Sequence, residues 1–405
     1  MKRAIKIIAI ILIIIIIIPI AFIGVSFVPI NRQMNDIFEK TDGFIAGVCH
    51  PNEDYSQIKE ANLNWVRFDI PYPYDEQGEL SSSYLSFRQR AQGYNDNNIK
   101  VMAITPYPRD YVNDGADPRT EHGAKKVVEV TRFIINDIKD FVHGIQITNE
   151  MGMAHFTMPL TTQEGAKFIA MQLKGIDDIK GDLIVGFNAA GVNLNIYLPL
   201  IPYRKYIDYV GIDLYEGSFG PGSFEMFYTI LHLVHSMFKK PVIIQEFGYM
   251  SKGRIITHEV KQEVLEGYGY LSEQEARDDI VTLVQEKLSD GFRNSIVAGY
   301  PDFADWEYAL FETANYLHFY EGLPENYLIK GYPHTPQGQA DFYTKIIPDL
   351  QNISYIAGLF IYSYYDAPIC YHCGSSTCPI ETGWGLVDSN GEANPSYYAV
   401  KEALE

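Results

Sequence analysis

Short apolar runs alternate with longer stretches of helical periodicity along most of the chain. The runs are rich in Val and Ile and are bounded by polar or turn residues, which is typical of strands buried on both faces of a sheet. The stretches between them are long enough for crossover helices, so neighbouring strands are expected to be parallel. The pattern predicts eight strands, over 43–49, 64–70, 100–105, 144–148, 183–188, 209–213, 241–245 and 357–363.

Helices are predicted in the gaps between these strands. Thr161 and Glu164 have the spacing of a capping box, and Thr335 followed by Pro336 has the order of an N-cap and a first helical residue. Further helices are predicted over 53–61, 83–95, 121–141 and 394–404. Eight strands alternating with helices predict an α/β fold of the (β/α)8 TIM-barrel type.

One gap is much longer than the others, over about 250–334, between the seventh strand and the helix at Thr335. It contains a predicted helix from Ser272, with Glu275 as its capping partner, to about Leu288, and an aromatic stretch over 303–320. Loops that follow barrel strands lie on the face where active sites form, so we expect a mostly helical lid or substrate-binding subdomain. The alternative is a segment used for packing or for a partner.

The N-terminus predicts a membrane anchor over residues 1–30. Lys2, Arg3 and Lys6 precede a run from Ile7 to Ile30 that has no charged residue. Its length suits a bilayer-spanning helix better than the short apolar core of a cleaved signal peptide, although a cleaved leader is the alternative. The basic flank favours a cytoplasmic N-terminus, with the barrel, residues 31–405, on the extracytoplasmic side.

Composition and charge limit the kinds of protein that this chain can be. The chain is 47% hydrophobic and 20% charged, so it can bury a large core. Its formal net charge is −19. Nucleic-acid binding depends on basic side chains that neutralise phosphates, so a nucleic-acid partner is not expected.

Four cysteines fit an extracytoplasmic location, where disulfides persist. Cys370, Cys373 and Cys378 cluster near the C-terminus, and Cys49 lies in the first strand. We expect one or two disulfides. The alternative is a zinc site made of Cys49, Cys370 and Cys373 with either Cys378 or His372.

Two glutamates follow predicted barrel strands and are the strongest candidates for catalysis. Glu150 follows Asn149 after strand four, and Glu246 directly follows strand seven. Glycoside hydrolysis needs one protonated carboxyl and one ionised carboxylate on either side of the anomeric carbon. Arg67 in strand two and Tyr215 after strand six are placed to bond one of them and favour its ionised form.

These residues resemble the retaining glycoside hydrolases of clan A. That family has Asn-Glu after strand four, a glutamate after strand seven and an arginine on strand two. The resemblance implies Glu150 as acid/base, Glu246 as nucleophile, Asn149 as a contact to the sugar 2-hydroxyl, and Arg67 and Tyr215 as neighbours of the nucleophile. It also implies an oligo- or polysaccharide substrate and no metal or cofactor. It spans about residues 43–404, apart from the long gap.

The end of strand eight differs from that family, in which the strand often ends in a tryptophan that lines the bottom of the sugar subsite. Here Tyr364, Tyr365 or Trp384 is the expected substitute. Secondary polar groups expected to line the cleft are Asp69, Asp213, Glu216 and Asp366. Because the tryptophan is absent, an inactive glycan-binding barrel of the cell envelope is an alternative function. A metal-dependent hydrolase that uses the cysteine and histidine cluster is another.

Overall fold

A computed structural model describes residues 29–405, and these residues form a nearly closed barrel of eight parallel strands surrounded by helices. The strands, numbered in chain order, are β1 Ile45–Cys49, β2 Trp65–Asp69, β3 Lys100–Ile104, β4 Gly144–Ile147, β5 Ile184–Phe187, β6 Val210–Leu214, β7 Val242–Phe247 and β8 Ile356–Ile361. Their order around the sheet is β5-β4-β3-β2-β1-β8-β7-β6. All eight predicted strands and the TIM-barrel class are confirmed.

The barrel closes between β5 and β6 through a few contacts rather than a full ladder. The Asp208 N–H donates to the Val185 carbonyl at 2.7 Å, and Ala190 forms a parallel bridge with Asp213. The residues just past β5 are therefore fixed against β6, at the carboxyl end of the barrel.

Apolar side chains fill both sides of the strand wall. Inside, Trp65, Met102, Tyr209 and Phe360 belong to one buried cluster, which the helix Ile30–Thr41 closes at the amino end of the barrel. Outside, the strands pack against the surrounding helices. This two-sided burial explains why the strands appear in the sequence as continuous apolar runs.

The surrounding helices begin where the sequence predicts caps. Thr161 and Glu164 form the expected capping box, and Thr335 accepts a hydrogen bond from the Gly338 N–H at 3.0 Å. The helices around the barrel are Ile30–Thr41, Tyr55–Glu60, Ser82–Asp96, Pro108–Asn113, Glu121–Ile138, Ala154–Thr157, Thr162–Ile176, Leu194–Leu200, Phe224–Phe238, Pro336–Gln351, Pro379–Thr382 and Pro395–Ala403, with a 3-10 turn at Ile201–Tyr206.

The segment after β7 is mostly helical and has its own apolar core, which includes Leu265, Phe292, Trp306 and Tyr320. Its helices are His258–Gly267, Glu273–Asp278, Ile280–Thr282, Asp290–Gly299, Trp306–Phe311 and Asn315–Tyr320, with a π-helical turn at Leu283–Lys287 and 3-10 turns at Phe303–Asp305 and Glu325–Tyr327. Two short strands, Arg254–Ile255 and Gly322–Leu323, pair near its ends. The single helix predicted from Ser272 is broken into three pieces.

The predicted membrane anchor falls almost entirely on residues 1–28, outside the described residues. Within residues 29–405, no helix is both long and apolar enough to span a bilayer.

Candidate active site

Three carboxyl groups meet at the carboxyl end of the barrel. They belong to Glu150, which follows β4, to Asp213 in β6 and to Glu246 in β7. One oxygen of each lies within 4.8 Å of one oxygen of each of the others. The predicted pair, Glu150 and Glu246, therefore lies together on one side of the barrel mouth rather than on opposite rims.

Glu246 is buried and surrounded by hydrogen-bond donors. Arg67 Nη1 donates to Glu246 Oε1 at 2.7 Å, and the Tyr215 hydroxyl donates to Oε2 at 2.5 Å. Asn149 Nδ2 lies 3.3 Å from Oε1. Both carboxylate oxygens are therefore held in place by charged or polar donors.

Arg67 is itself held by the neighbouring strands. Its Nε donates to Gln146 Oε1 at 2.8 Å and its Nη2 to Asn149 Oδ1 at 2.7 Å, and the whole side chain is buried. Its Nη1 also lies 3.4 Å from Cys49 Sγ. A guanidinium bonded on all three nitrogens has one orientation, so its charge is directed at Glu246.

The Asn149 amide is oriented by an excess of donors on its oxygen. Oδ1 accepts from Arg67 Nη2, from Gln146 Nε2 at 3.0 Å and from Asn188 Nδ2 at 2.8 Å. The amide nitrogen must then point the other way, toward Glu246. This leaves Asn149 as a donor at the nucleophile side of the cleft.

Glu150 lies in a different environment from Glu246. Its backbone has a φ of 43°, a conformation uncommon for a residue with a side chain, and its N–H donates to Asn188 Oδ1 at 2.9 Å. Burial, together with the negative charge of Glu246, raises the pKa of Glu150 to about 8. This carboxyl therefore keeps its proton at neutral pH.

Asp213 is the third carboxyl of the cluster and is fully enclosed. Burial and the charges of Glu246 and Glu150 hold the pKa of Asp213 well above its ordinary value. Its Oδ2 accepts from Asn188 Nδ2 at 2.6 Å, while no donor among residues 29–405 reaches its buried Oδ1. A neutral Asp213 is the form that this environment favours.

Tyr362, the first residue past β8, is a partly exposed aromatic residue near Glu246. Its half-buried ring makes edge contacts with Tyr215 and His50, at centroid distances of 5.7 and 5.2 Å. The expected substitutes lie elsewhere. Tyr364 is fully buried and its hydroxyl donates to Gln57 Oε1 at 2.7 Å, so the expectation that it lines the cleft is corrected.

Trp384 packs against Tyr215 in the interior of the protein and is not exposed at the barrel mouth. It is fully buried, and its ring contacts that of Tyr215 edge-on with a centroid distance of 5.2 Å. Its indole N–H donates to the Ile380 carbonyl. Trp384 thus helps to position Tyr215, which bonds Glu246. The prediction that Trp384 stacks on a sugar is wrong, because its ring is buried.

The remaining polar candidates are used in local structure. Asp69 accepts from the Tyr107 hydroxyl at 2.7 Å, and Asp366 accepts from the Gly385 N–H at 2.6 Å. Tyr365 donates to the Ser389 carbonyl, and Glu216 is half-buried next to Tyr215.

Two residues of the polar network, Gln146 and Asn188, were not predicted. Gln146 lies within β4, where a polar residue interrupts an apolar run. Asn188 directly follows β5, and Asn149 follows β4 after one intervening residue. A polar residue inside or just past a buried strand is the signal that identifies both.

The expected disulfides are not formed. All four cysteines, each within residues 29–405, are unpaired, and Cys49 lies in the barrel beside Arg67. The predicted zinc set that included Cys49 is therefore also wrong.

Comparison with known proteins gives similarity in structure only. No protein-family model matches the sequence, and no curated protein matches it. The fold is similar to the GH53 catalytic domain of Ignisphaera aggregans, with a TM-score of 0.53, 16% identity, and coverage of 94% of this chain and 99% of that one. It is also similar to a beta-glucuronidase of Bacteroides uniformis, with a TM-score of 0.51, 13% identity, and coverage of 89% of this chain but 35% of that one. The chain therefore has a TIM-barrel fold of the kind seen in these solved glycosidases.

Proposed function

We propose that the protein is a retaining β-glycoside hydrolase, with Glu246 as nucleophile and Glu150 as acid/base. The observation that carries the proposal is a pair of carboxyl groups with one oxygen of each within 4.8 Å of the other. One carboxyl is bonded by Arg67, and the pKa of the other is raised. Glycoside cleavage requires this inequality between two carboxyl groups.

In the first step, Glu246 attacks the anomeric carbon while Glu150 gives its proton to the leaving oxygen. Arg67 and Tyr215 hold the attacking carboxylate in place, and Asn149 is the expected donor to the sugar 2-hydroxyl. In the second step, the ionised Glu150 takes a proton from water, and the resulting hydroxide releases the sugar from Glu246. No cofactor is needed for either step.

The separation of the two carboxyls supports retention of configuration. A retaining enzyme places them about 5 to 5.5 Å apart, whereas an inverting enzyme needs about 6.5 to 9.5 Å to fit a water molecule. One oxygen of each carboxyl lies within 4.8 Å of one oxygen of the other, which is nearer to the separation of a retaining enzyme.

The proposed substrate is an oligo- or polysaccharide that lies across the barrel mouth. Tyr362 offers an aromatic face beside the pair, and the segment after β7 packs close to it through a shared apolar cluster with Trp384 and Leu317. We propose that these surfaces form one wall of the substrate cleft. We further propose an extracytoplasmic, membrane-anchored location, which rests on the uncharged run from Ile7 to Ile30.

The test is turnover of aryl β-glycosides and of a panel of polysaccharides by wild type, Glu246→Ala and Glu150→Ala. Glu246→Ala should abolish turnover. Glu150→Ala should retain activity on substrates whose leaving group needs no proton, and added azide should restore turnover with a β-linked azide product. Glu129→Gln, which changes an exposed glutamate on an outer helix, is the matched control and should behave as wild type.

Two results would contradict the proposal. One is a first product of inverted anomeric configuration, measured by proton NMR during the reaction. The other is equal activity of wild type and both alanine variants on every cleaved substrate.

A further inference from the structure

A second cluster of reactive side chains lies outside the carboxyl site. Cys370, Cys373 and Cys378, in the loop after β8, converge on His318, in the segment after β7. Their sulfur and imidazole nitrogen atoms all lie within 4.8 Å of one another. His318 Nδ1 is 3.4 Å from Cys370 Sγ and 3.6 Å from Cys378 Sγ.

We propose that these four residues bind one structural zinc ion. Zinc binds thiolate sulfur at about 2.3 Å and imidazole nitrogen at about 2.0 to 2.1 Å, so a tetrahedral site separates sulfur from nitrogen by about 3.6 Å and sulfur from sulfur by about 3.8 Å. The two sulfur-to-nitrogen distances agree with the first value. Three cysteines and one histidine form a common closed, four-coordinate zinc site.

The cysteine loop is folded so that its three thiols face one point. The Gly374 N–H donates to the Cys370 carbonyl at 2.9 Å, and the Cys370 N–H donates to the Ser375 carbonyl at 2.9 Å. Gly374 has a φ of 74°, which allows the chain to reverse directly after Cys373. The Cys-x-x-Cys spacing and this turn bring two ligands from one short loop to the metal.

Residues of the segment after β7 contact the cysteine loop. The Ser289 hydroxyl donates to the Cys373 carbonyl at 2.7 Å. His372 does not belong to the converging group of four. Its Nδ1 lies 2.9 Å from Ser295 Oγ, and its ring packs against His318 with a centroid distance of 4.7 Å. Such neighbours fix the orientation of metal ligands.

A disulfide explains this cluster less well than a metal does. Any pairing among three thiols leaves one unpaired, and it gives no role to the buried imidazole of His318. All four groups are used only when they bind a common ion that prefers sulfur and nitrogen.

The proposed zinc connects the segment after β7 to the residues that pack beneath Tyr215 at the carboxyl site. His318 belongs to the helix Asn315–Tyr320 in that segment. Cys378 directly precedes the helix Pro379–Thr382, and Ile380 and Trp384 share an apolar cluster with Leu317. Release of the metal should therefore loosen the inserted segment against the barrel before the barrel itself unfolds.

The test is the zinc content of the full chain after dialysis, together with its zinc affinity. Wild type should hold one zinc per chain. His318→Gln and Cys373→Ser should each weaken zinc binding by more than about 100-fold, since loss of even an outer partner weakens metal affinity by about 10- to 100-fold. His372→Gln is the matched control and should keep the metal.

Glu246→Gln is the second control, because Glu150, Asp213 and Glu246 are the other converging set of metal-ligand groups among the described residues. This variant should also keep its zinc. The measurement needs no glycoside turnover, so its result is independent of the proposed hydrolase activity. A wild-type chain that retains no zinc, ligand variants that retain it, or a Glu246→Gln variant that loses it would overturn the proposal.

A second measurement on wild type remains informative if the ligand variants do not fold. Bound zinc should protect Cys370, Cys373 and Cys378 from alkylation in the native chain, and a chelator should expose all three to the reagent. Mass spectrometry of the peptides gives the result. A disulfide among the three, or equal labelling with and without the chelator, would refute the zinc site.

Discussion

Replacing Glu150 with Gln should stabilise the protein, and increasingly so as the pH rises. Burial beside Glu246 raises the pKa of Glu150 from an ordinary value of 4.5 to about 8. Between these two pH values the unfolded chain releases this proton while the folded chain retains it. The free energy of unfolding of wild type therefore falls across this range. A glutamine has the shape of the protonated acid and no proton to lose, so the variant lacks this fall.

The size of the effect follows from the two pKa values. Their difference of about 3.5, at about 1.36 kcal/mol for each pKa unit, sets an upper limit of about 5 kcal/mol above pH 8. Glu150 is half-buried, so solvent screens part of the interaction, and we expect about 2 kcal/mol. For a folded part of this size, that corresponds to a rise of about 2 to 3 °C in the melting temperature.

The assay is thermal or urea denaturation of wild type, Glu150→Gln and the exposed control Glu129→Gln at pH 4, 6 and 8. The stabilisation by Glu150→Gln should be near zero at pH 4 and largest at pH 8, while the control should show no trend with pH. A constant difference at all three pH values would mean that the pKa of Glu150 is the same in the folded and the unfolded chain, and it would refute the assignment of a raised pKa.

Two further predictions concern catalysis. Tyr215→Phe removes the hydroxyl that donates to Glu246 Oε2. It should lower kcat/KM on aryl glycosides by about 10- to 100-fold, which is the equivalent of one hydrogen bond to a charged group, with little change in melting temperature. Unchanged kinetics would exclude this contact from the reaction. Tyr362→Ala should raise KM about 3- to 10-fold through lost stacking, whereas Tyr364→Phe, which loses only the bond to Gln57, should alter stability but not KM. An unchanged KM in Tyr362→Ala would exclude Tyr362 from substrate stacking.

The barrel could be predicted because each strand is buried on both faces. β7, Val242–Phe247, is wholly buried and appears in the sequence as an apolar run with a carboxylate at its end. The helix Ile30–Thr41 was not predicted, since only a few of its residues, including Met34 and Ile37, face the barrel. The helix predicted from Ser272 failed at Asp279, where the chain leaves helical geometry before resuming it.

The site could be predicted only where strand order alone brings residues together. Glu150 and Glu246 met because carboxyl ends of parallel strands share one face of the barrel. The aromatic residue beside the carboxyl pair was predicted at the wrong tyrosine. Several tyrosines follow β8, and the sequence does not reveal that the strand ends at Ile361. His318 was missed because it lies 52 residues from Cys370, in a segment whose path depends on tertiary packing.

The different roles of the two glutamates can be traced to an imbalance of charge at the barrel mouth. Glu150, Asp213 and Glu246 lie within 4.8 Å of one another, and the buried cation bonded to this cluster is Arg67. Two ionised carboxylates at 4.8 Å repel each other by about 3.5 kcal/mol at an effective dielectric constant of about 20. One guanidinium compensates one carboxylate, and its fixed hydrogen bonds direct it to Glu246. The other two carboxyls then lower the energy of the cluster by keeping their protons, and of these only Glu150 is partly exposed and can pass its proton to a bound glycoside.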